Sequence, residues 1–492
     1  MSLLTIPQAF ELALQHQQAG RLQQAELLYR QILAEQPAHE GAILYTGVMA
    51  HQQGRNDVAL DLIRKAIALN PDVPEAYNSL GVVLLAQRRF HEAIVAFRQA
   101  LLLRAGYPNA QYNLGQALNG ARQFEEAIIA YRQAILLDPG FANTHNNLGN
   151  ALMELGQIHA AIAAYEQAVA LEPTLPEAHY NLALALLARG DFNGGWDEHE
   201  WRWKCKNFSS PQRNFAQPLW DGSPFDDRTL LLHCEQGFGD AIQFIRYLPL
   251  VARRGGKIII ECQPELEGLL GALSSIVSRD CQIISCGQSL PSFDLHCPLL
   301  SLPRVFNTTL ENIPAEVPYL FPDPKLIDFW RERLLRFGSD LKIGLAWAGS
   351  PTHKTDQSRS ISLGRLGALA EVRGARFFSL QKGLAAAQGK FPPPGLELID
   401  WTDEFNNFND AALIANLDLI ITVDTSVAHL AAALARPTWV LLSFVPDWRW
   451  LLDREDSPWY PTMRLFRQRS RGDWDGVIRR VVEAVAALDR EH

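Results

Sequence analysis

A spacing of 34 residues recurs through the first two-fifths of the chain and constrains its fold more than any other feature. Gly47, Gly81, Gly115 and Gly149 keep this spacing, as do Ala59, Ala93, Ala127 and Ala161. Ile63, Phe97, Tyr131 and Tyr165 follow it with a large side chain. Pro37, Pro71, Pro139 and Pro173 close four of the units, and Ala105 stands where another proline would fall. Small residues at fixed places let two antiparallel helices approach closely, and the large residue is expected to fill the gap between neighbouring hairpins. One such hairpin cannot bury its apolar face alone, so the units must stack into a solenoid.

This period and pattern resemble the tetratricopeptide (TPR) repeat. The repeats are placed at 6–39, 40–73, 74–107, 108–141, 142–175 and 176–207. The sixth is atypical, running through GDFNGGWDEHEWRWKCK, where Trp196, Trp201 and Trp203 are expected to pack against the following module. Two residues before the repeat glycine stand Asn113, Asn147 and Asn181, with Ser79 and Tyr45 in earlier repeats. Asn carries an acceptor and two donors, so a row of them can bind the backbone of an extended peptide without reading its sequence. The same residues can instead bridge helices inside the solenoid.

A length of 492 residues suggests roughly three domains. The net charge of −9 argues against broad nucleic-acid binding, though not against a local basic pocket. No apolar run is long enough to predict a membrane span, and the N-terminus reads as a first helix and not a signal peptide. The six cysteines lie from Cys205 onward without a CxxC pair, so neither a disulfide framework nor a metal site is expected. A reducing, cytoplasmic location fits.

After Phe208 the pattern changes. NFSSPQRNFAQPLWDGSPFDD reads as a surface linker. Strands are predicted at Arg228–Cys234, Lys257–Cys262, CQIIS and FDLHC, with helices between them. A second series begins at Lys342–Gly349 and continues through ARFFSLQ, LELID, LDLIITVD and TWVLLS. Alternating strands and helices imply parallel sheets covered on both faces. The expected division is 1–207 (solenoid), 208–325 and 326–492 (two doubly wound Rossmann-like domains facing a cleft).

In LIITVDTSVAHLAAALARPTWVLL a strand ends at Val423 and a small-residue helix opens at Val427. Free amides and the helix dipole above such a turn suit a diphosphate. Asp424, Thr425, Ser426, Val427 and His429 are therefore binding candidates. The first three are also ordinary capping residues, and His429 also reads as a core residue. GSPTHKTDQSRSISLGRL gathers His353, Lys354 and Arg359 after the Lys342–Gly349 strand, and Gln381 and Lys382 stand at a neighbouring strand end. Asp403 and Phe408 are further candidates for base or ribose contacts. Trp448, Arg449, Trp450, Trp459 and Tyr460 suit either a sugar-pocket wall or core packing.

The string DTSVAHLAAALARPTWVL resembles the helix-start motif of the ADP-heptose:lipopolysaccharide heptosyltransferases, with Ser426 where that family has glycine. HCEQGFGDAIQFIRYLP resembles their first-domain turn. TPR repeats joined to such a module are also similar to the O-linked N-acetylglucosamine transferases. The resemblance implies a GT-B glycosyltransferase, inverting, metal-independent and using a UDP- or ADP-linked sugar. By position it implies Asp240 as the base that deprotonates the acceptor hydroxyl, with His233 and Glu235 as second choices. Gly237 and Gly239 would admit substrate close to the backbone. Lys354 or Arg359 would stabilise the leaving diphosphate. A protein acceptor held by the TPR groove is the expected partner. A lipopolysaccharide or surface-glycan transferase and a catalytically inactive TPR scaffold are the alternatives.

Overall fold

The computed structural model describes residues 4–277, 280–353, 355–405, 408 and 410–488. It divides into two compact units, Met1–Asn181 and Leu182–His492.

In the first unit helices pair as hairpins. They are Ile6–Gln18 with Leu22–Glu35, Glu40–Gln52 with Asn56–Leu69, and Pro74–Ala86 with Phe90–Leu103. Pro108–Gly120 with Phe124–Leu137 and Ala142–Glu154 with Ile158–Leu171 follow. Each first helix from the second onward starts where the 34-residue period places it. The turn inside each hairpin needs one residue at positive φ, and Gly20, Gly54 and Gly156 supply it. Arg88 and Arg122 hold the same position at φ 59° and 63°, a conformation that costs a side chain energy glycine avoids.

The aromatic of each repeat lies within its own hairpin, not between hairpins as the period alone suggested. A Cβ added to Gly81 or Gly115 would sit 2.5 Å from a ring carbon of Phe97 or Tyr131, and both rings are buried. The gap between hairpins takes a different residue: the Phe90 ring lies against Gly120 of the next repeat. Gly115→Ala is accordingly expected to cost about 1–3 kcal/mol through overpacking. Thermal unfolding checks this, and Gly106→Ala, where an added Cβ meets nothing within 4 Å, is the neutral control.

The second unit holds two all-parallel sheets. Strands β1 (Thr229–His233), β2 (Lys257–Cys262), β3 (Cys281–Ser285) and β4 (Leu295–Pro298) are ordered β3-β2-β1-β4. Strands β5 (Leu341–Ala346), β6 (Ala375–Ser379), β7 (Leu398–Ile399), β8 (Leu419–Val423), β9 (Thr438–Leu442) and β10 (Met463–Arg467) are ordered β10-β9-β8-β5-β6-β7.

Side-chain alternation divides the second sheet between two cores. Ile343, Leu345, Leu419, Ile421, Val423, Trp439 and Leu441 pack on one face with Val477, Ile478 and Val481 of the Trp474–Leu488 helix. Ala346, Ile420, Val440 and Leu442 face the other way, into a core that also holds Leu230, Leu232, Ile258 and Ile260 of the first sheet. One hydrophobic core therefore joins both sheets.

The opposite face of the first sheet departs from the doubly wound expectation. Leu231, Ile259 and Ile284 are covered there by Phe215, Leu290 and Phe293, all from non-helical chain. Trp203 adds its ring beside His233, at 6.5 Å between centroids. The segment read as a surface linker, through Phe215, and the chain between β3 and β4 thus together take the place of a covering helix. Trp196 packs as expected of the sixth repeat: its Nε1 donates to the Thr308 carbonyl at 2.9 Å, and its ring meets Trp448 edge-on at 5.3 Å.

Candidate functional site

Both sheets change winding direction once, between β1 and β4 and between β5 and β8. Open parallel sheets bind ligands beyond the strand ends at such switch points. The chain leaving β1 runs through Gly237 into the helix Phe238–Phe244, and the chain leaving β8 enters the helix Ser426–Ala433. These two helix starts meet. A Cβ on Gly239 would lie 2.9 Å from His429 Cδ2 and 3.7 Å from Ser426 Cα. Gly239 therefore serves helix approach, whereas the exposed Gly237 has only Asp240 Oδ2 nearby.

Asp240 lies in the first turn of its helix, and its Oδ2 accepts from the Gly237 amide at 2.9 Å. Its Oδ1 accepts from Arg449. Burial pushes its pKa up, and Arg449 and the Gly237 amide pull back only part of that rise. Arg449 is held on every side. It donates to Gln243 Oε1 at 2.5 Å and to Asp447 Oδ1 at 2.9 Å, and it lies over the Trp448 ring at 4.5 Å. The second choices for a base are engaged elsewhere. Glu235 accepts twice from the fully buried Arg202, at 3.2 and 2.8 Å. His233 is buried beside His296, and burial lowers its pKa to about 3.

On the facing side Thr425 caps its helix, with its side chain accepting from Val427 N–H at 3.3 Å. Asp424 has its pKa raised to about 6, first by burial and then by Asp447. His429 is buried, bonds Tyr460 Oη through Nδ1 at 2.9 Å and stacks on Trp450 at 5.4 Å. Burial and the nearby Arg449 hold it neutral.

Arg359 approaches from the loop after β5. A Cβ on Gly349 would sit 2.6 Å from Arg359 Nη2, so that glycine leaves the guanidinium its place. Its electrostatic reach includes Asp424, His353 and His429, while its nearest carboxylate, Asp356, stands 3.8 Å from Nε. Burial and Arg359 lower the pKa of His353, opposed by Asp447 and Asp240. Lys354 lies outside the described residues.

Gln381, Lys382 and the aromatic candidates are engaged within the protein, whereas Asp403 is exposed. Gln381 Oε1 accepts from the amides of Trp347 and Ala348 at 2.9 and 2.8 Å. Its Nε2 donates to the carbonyls of Ala348 and Lys382, which fixes the chain leaving β5. Lys382 pairs with the buried Asp410 at 3.1 Å and lies 5.5 Å from the Phe408 ring centroid. Trp448, Trp450, Trp459 and Tyr460 are core residues and not a sugar-pocket wall, since each is at most 5% exposed. The sequence reading missed the pairing of Arg449 with Asp240. The tryptophans around Arg449 were the available signal, since an arginine between aromatics is often a buried one.

In the solenoid each candidate Asn donates to the preceding repeat. Asn113 reaches Asn78 at 3.0 Å, Asn147 reaches Tyr112 Oη at 3.2 Å, and Asn181 reaches Asn146 at 2.9 Å. The row is thus a ladder that ties repeats together; Asn181 donates a second time, to Asn150 at 3.1 Å, and Asn147 also accepts from Asn146 at 3.3 Å.

The grouping at the helix starts contains three carboxylates (Asp240, Asp424, Asp447) and two guanidiniums (Arg359, Arg449). Because the pKa of Asp424 is raised, its stability effect has a definite sign. It ionises above about 4 when unfolded and only near 6 when folded, so stability falls as pH rises across that window. Asp424→Asn is expected to stabilise this unit by about 3 kcal/mol at pH 7.5 and by less than about 1 kcal/mol at pH 4. Thermal unfolding at both pH values checks this.

Comparison with known proteins matches the repeats and one short stretch of the second unit. Tetratricopeptide repeat models match residues 10–74, 123–156 and 149–190. A model described as an Est1 DNA/RNA binding domain matches 59–126, mostly on the helices between those matches. The model of glycosyltransferase family 9 (heptosyltransferase) matches residues 407–442, the segment that carries β8, the Ser426–Ala433 helix and β9. Protein FlbA of Caulobacter vibrioides is 25% identical over 311 residues, which is 59% of this chain and 52% of that protein. The chain thus spans about half the length of this curated relative. Among solved structures, MamA is 25% identical over 33% of this chain and 94% of its own, with a TM-score of 0.30. PilW, a type IV pilus biogenesis factor, is 21% identical over 40% of this chain and 91% of its own, with a TM-score of 0.37. The chain is a TPR solenoid followed by a parallel-sheet α/β region with a short stretch similar to family 9 glycosyltransferases.

Proposed function

We propose that the protein is a metal-independent glycosyltransferase of the GT-B type, which moves a sugar from a nucleotide diphosphate-sugar to a polypeptide bound by the TPR repeats. The observation that carries this reading is the meeting of two helix starts, one from each sheet, with Asp240 of the first paired to Arg449 from the turn after β9. The short family 9 match falls on one of these two elements.

The groups divide by charge. Arg359, Arg449 and the Ser426 amide suit the diphosphate, while the Val427 amide is engaged by the Thr425 cap. Asp424 and Asp447 suit sugar or ribose hydroxyls, which donate to carboxylates. Asp240 takes the proton of the acceptor hydroxyl as its oxygen bonds to the anomeric carbon. The bond from that carbon to the diphosphate breaks, and the electron pair leaves with the nucleoside diphosphate. Arg449 has a double part in this scheme. Before the donor arrives it neutralises Asp240, and a diphosphate that draws Arg449 away leaves the carboxylate free to act as base.

Glycopeptide mass spectrometry on cells with and without the intact gene tests the transfer itself. Sugar-bearing peptides that vanish with the gene support the proposal. An unchanged glycopeptide profile, together with the same TPR-bound partners, would favour the inactive scaffold.

A further inference from the structure

The first three repeats enclose a cavity of about 220 Å³ that the transfer reading does not use. It opens among the first helices of the hairpins and is walled by Phe10, Leu44, Tyr45 and Val73, with Glu40 and Glu75 among its polar lining. Its volume falls below the roughly 300–1,000 Å³ of small-molecule sites, so it suits a single side chain. Tyr45 occupies the repeat position that Asn113, Asn147 and Asn181 hold further along. The cavity therefore continues the same row, with an aromatic wall in place of amides.

The chemistry of the lining selects a cation. The rings of Phe10 and Tyr45 lie 6.0 Å apart and line the cavity, with His39 against Phe10 at 5.0 Å and Tyr29 stacked on Tyr45 at 6.2 Å. Glu40 has no ion-pair partner among the described residues. Glu75 shows how such a site treats a basic group: it pairs with the chain's own Arg104, whose guanidinium also lies 4.9 Å from the Tyr107 ring centroid. Arg104 leaves Glu40, beside the cavity-lining Phe10 and Tyr45, to a second cation. We propose that this cavity anchors one lysine or arginine side chain of an extended polypeptide whose backbone continues along the Asn row. The inference specifies the partner of the function proposed above and rests on that reading only for the polypeptide's being a sugar acceptor.

Fluorescence anisotropy with the full chain tests this. The probes are short labelled Gly/Ser peptides that carry a central arginine, lysine, norleucine or glutamate. Arginine and lysine peptides are expected to bind roughly 3- to 30-fold more tightly than norleucine. Glu40→Gln and Tyr45→Leu should each erase most of that preference, while Asn147→Ala weakens all peptides alike. Circular dichroism checks folding, and Glu40→Gln decides the matter if Tyr45→Leu unfolds. Equal or tighter binding of norleucine, a basic preference that survives Glu40→Gln, or no binding of any peptide would overturn the proposal. Parallel titration with UDP and ADP separates the two readings. Peptide discrimination without nucleotide binding would overturn only the transferase, and nucleotide binding without discrimination would overturn only the anchor.

Discussion

Asp240→Asn lowers sugar transfer by roughly 10²- to 10⁴-fold, the usual loss when a positioned general base is removed, and leaves nucleotide binding intact or tighter, because Arg449 no longer has to leave a carboxylate. Asn keeps the shape and the acceptor for the Gly237 amide but cannot take the acceptor proton. The loss should therefore fall on kcat and not on the donor's Kd, and single-turnover transfer alongside a nucleotide titration separates the two. Full transfer by Asp240→Asn would remove Asp240 from the base role. Neither Glu235 nor His233 stands ready to replace it, because Arg202 holds the first and burial beside His296 keeps the second from binding a proton.

Arg449→Met has the largest expected effect on stability. Arg449 and Asp240 are only 10% and 16% exposed in their side chains. Removing the guanidinium leaves Asp240 and Asp447 without their cation and Gln243 without its donor. Breaking a buried pair in this one-sided way typically costs about 3–5 kcal/mol. The double variant, Asp240→Asn with Arg449→Met, should recover part of that cost, since the stranded carboxylate is then gone. Chemical denaturation of the four forms in a double-mutant cycle measures the coupling. Additive effects would show that the pair contributes little, and Arg449 could then not act as a restraint on the base.

The solenoid was legible because its rule is stated several times over. Repeated copies of one spacing fix helix starts and turns, even where Arg88 and Arg122 replace the turn glycine, but not which gap the aromatic fills. The strands of the α/β unit were legible for a different reason. Runs such as KIIIEC and LIITV are buried on both faces, which leaves few other conformations open to them. Strand β10 was not read from the sequence. Its Met463-Arg464-Leu465 alternation follows a loop crowded with tryptophan and proline, and it sits at the sheet edge with Arg464 exposed. The helix predicted after Gly239 is broken into short turns, the last of them opening beside Pro249, as a proline without an amide donor predicts.

The candidate site was legible only by element. The sequence marks two helix starts, but nothing local says that Asp240 pairs with an arginine 209 residues away. Nor does the composition of SLQKG reveal that Gln381 binds backbone on both sides of its amide. Partners of this kind depend on how two sheets share one core, and no periodicity encodes that.

The most direct measurement is calorimetric titration of the full chain with UDP, ADP and inorganic pyrophosphate. The account predicts saturable binding of at least one nucleotide, weakened roughly 10- to 100-fold by Arg359→Gln, as loss of a charge-assisted contact implies. Absence of binding by all three ligands, or binding indifferent to both Arg359→Gln and Arg449→Lys, would contradict it.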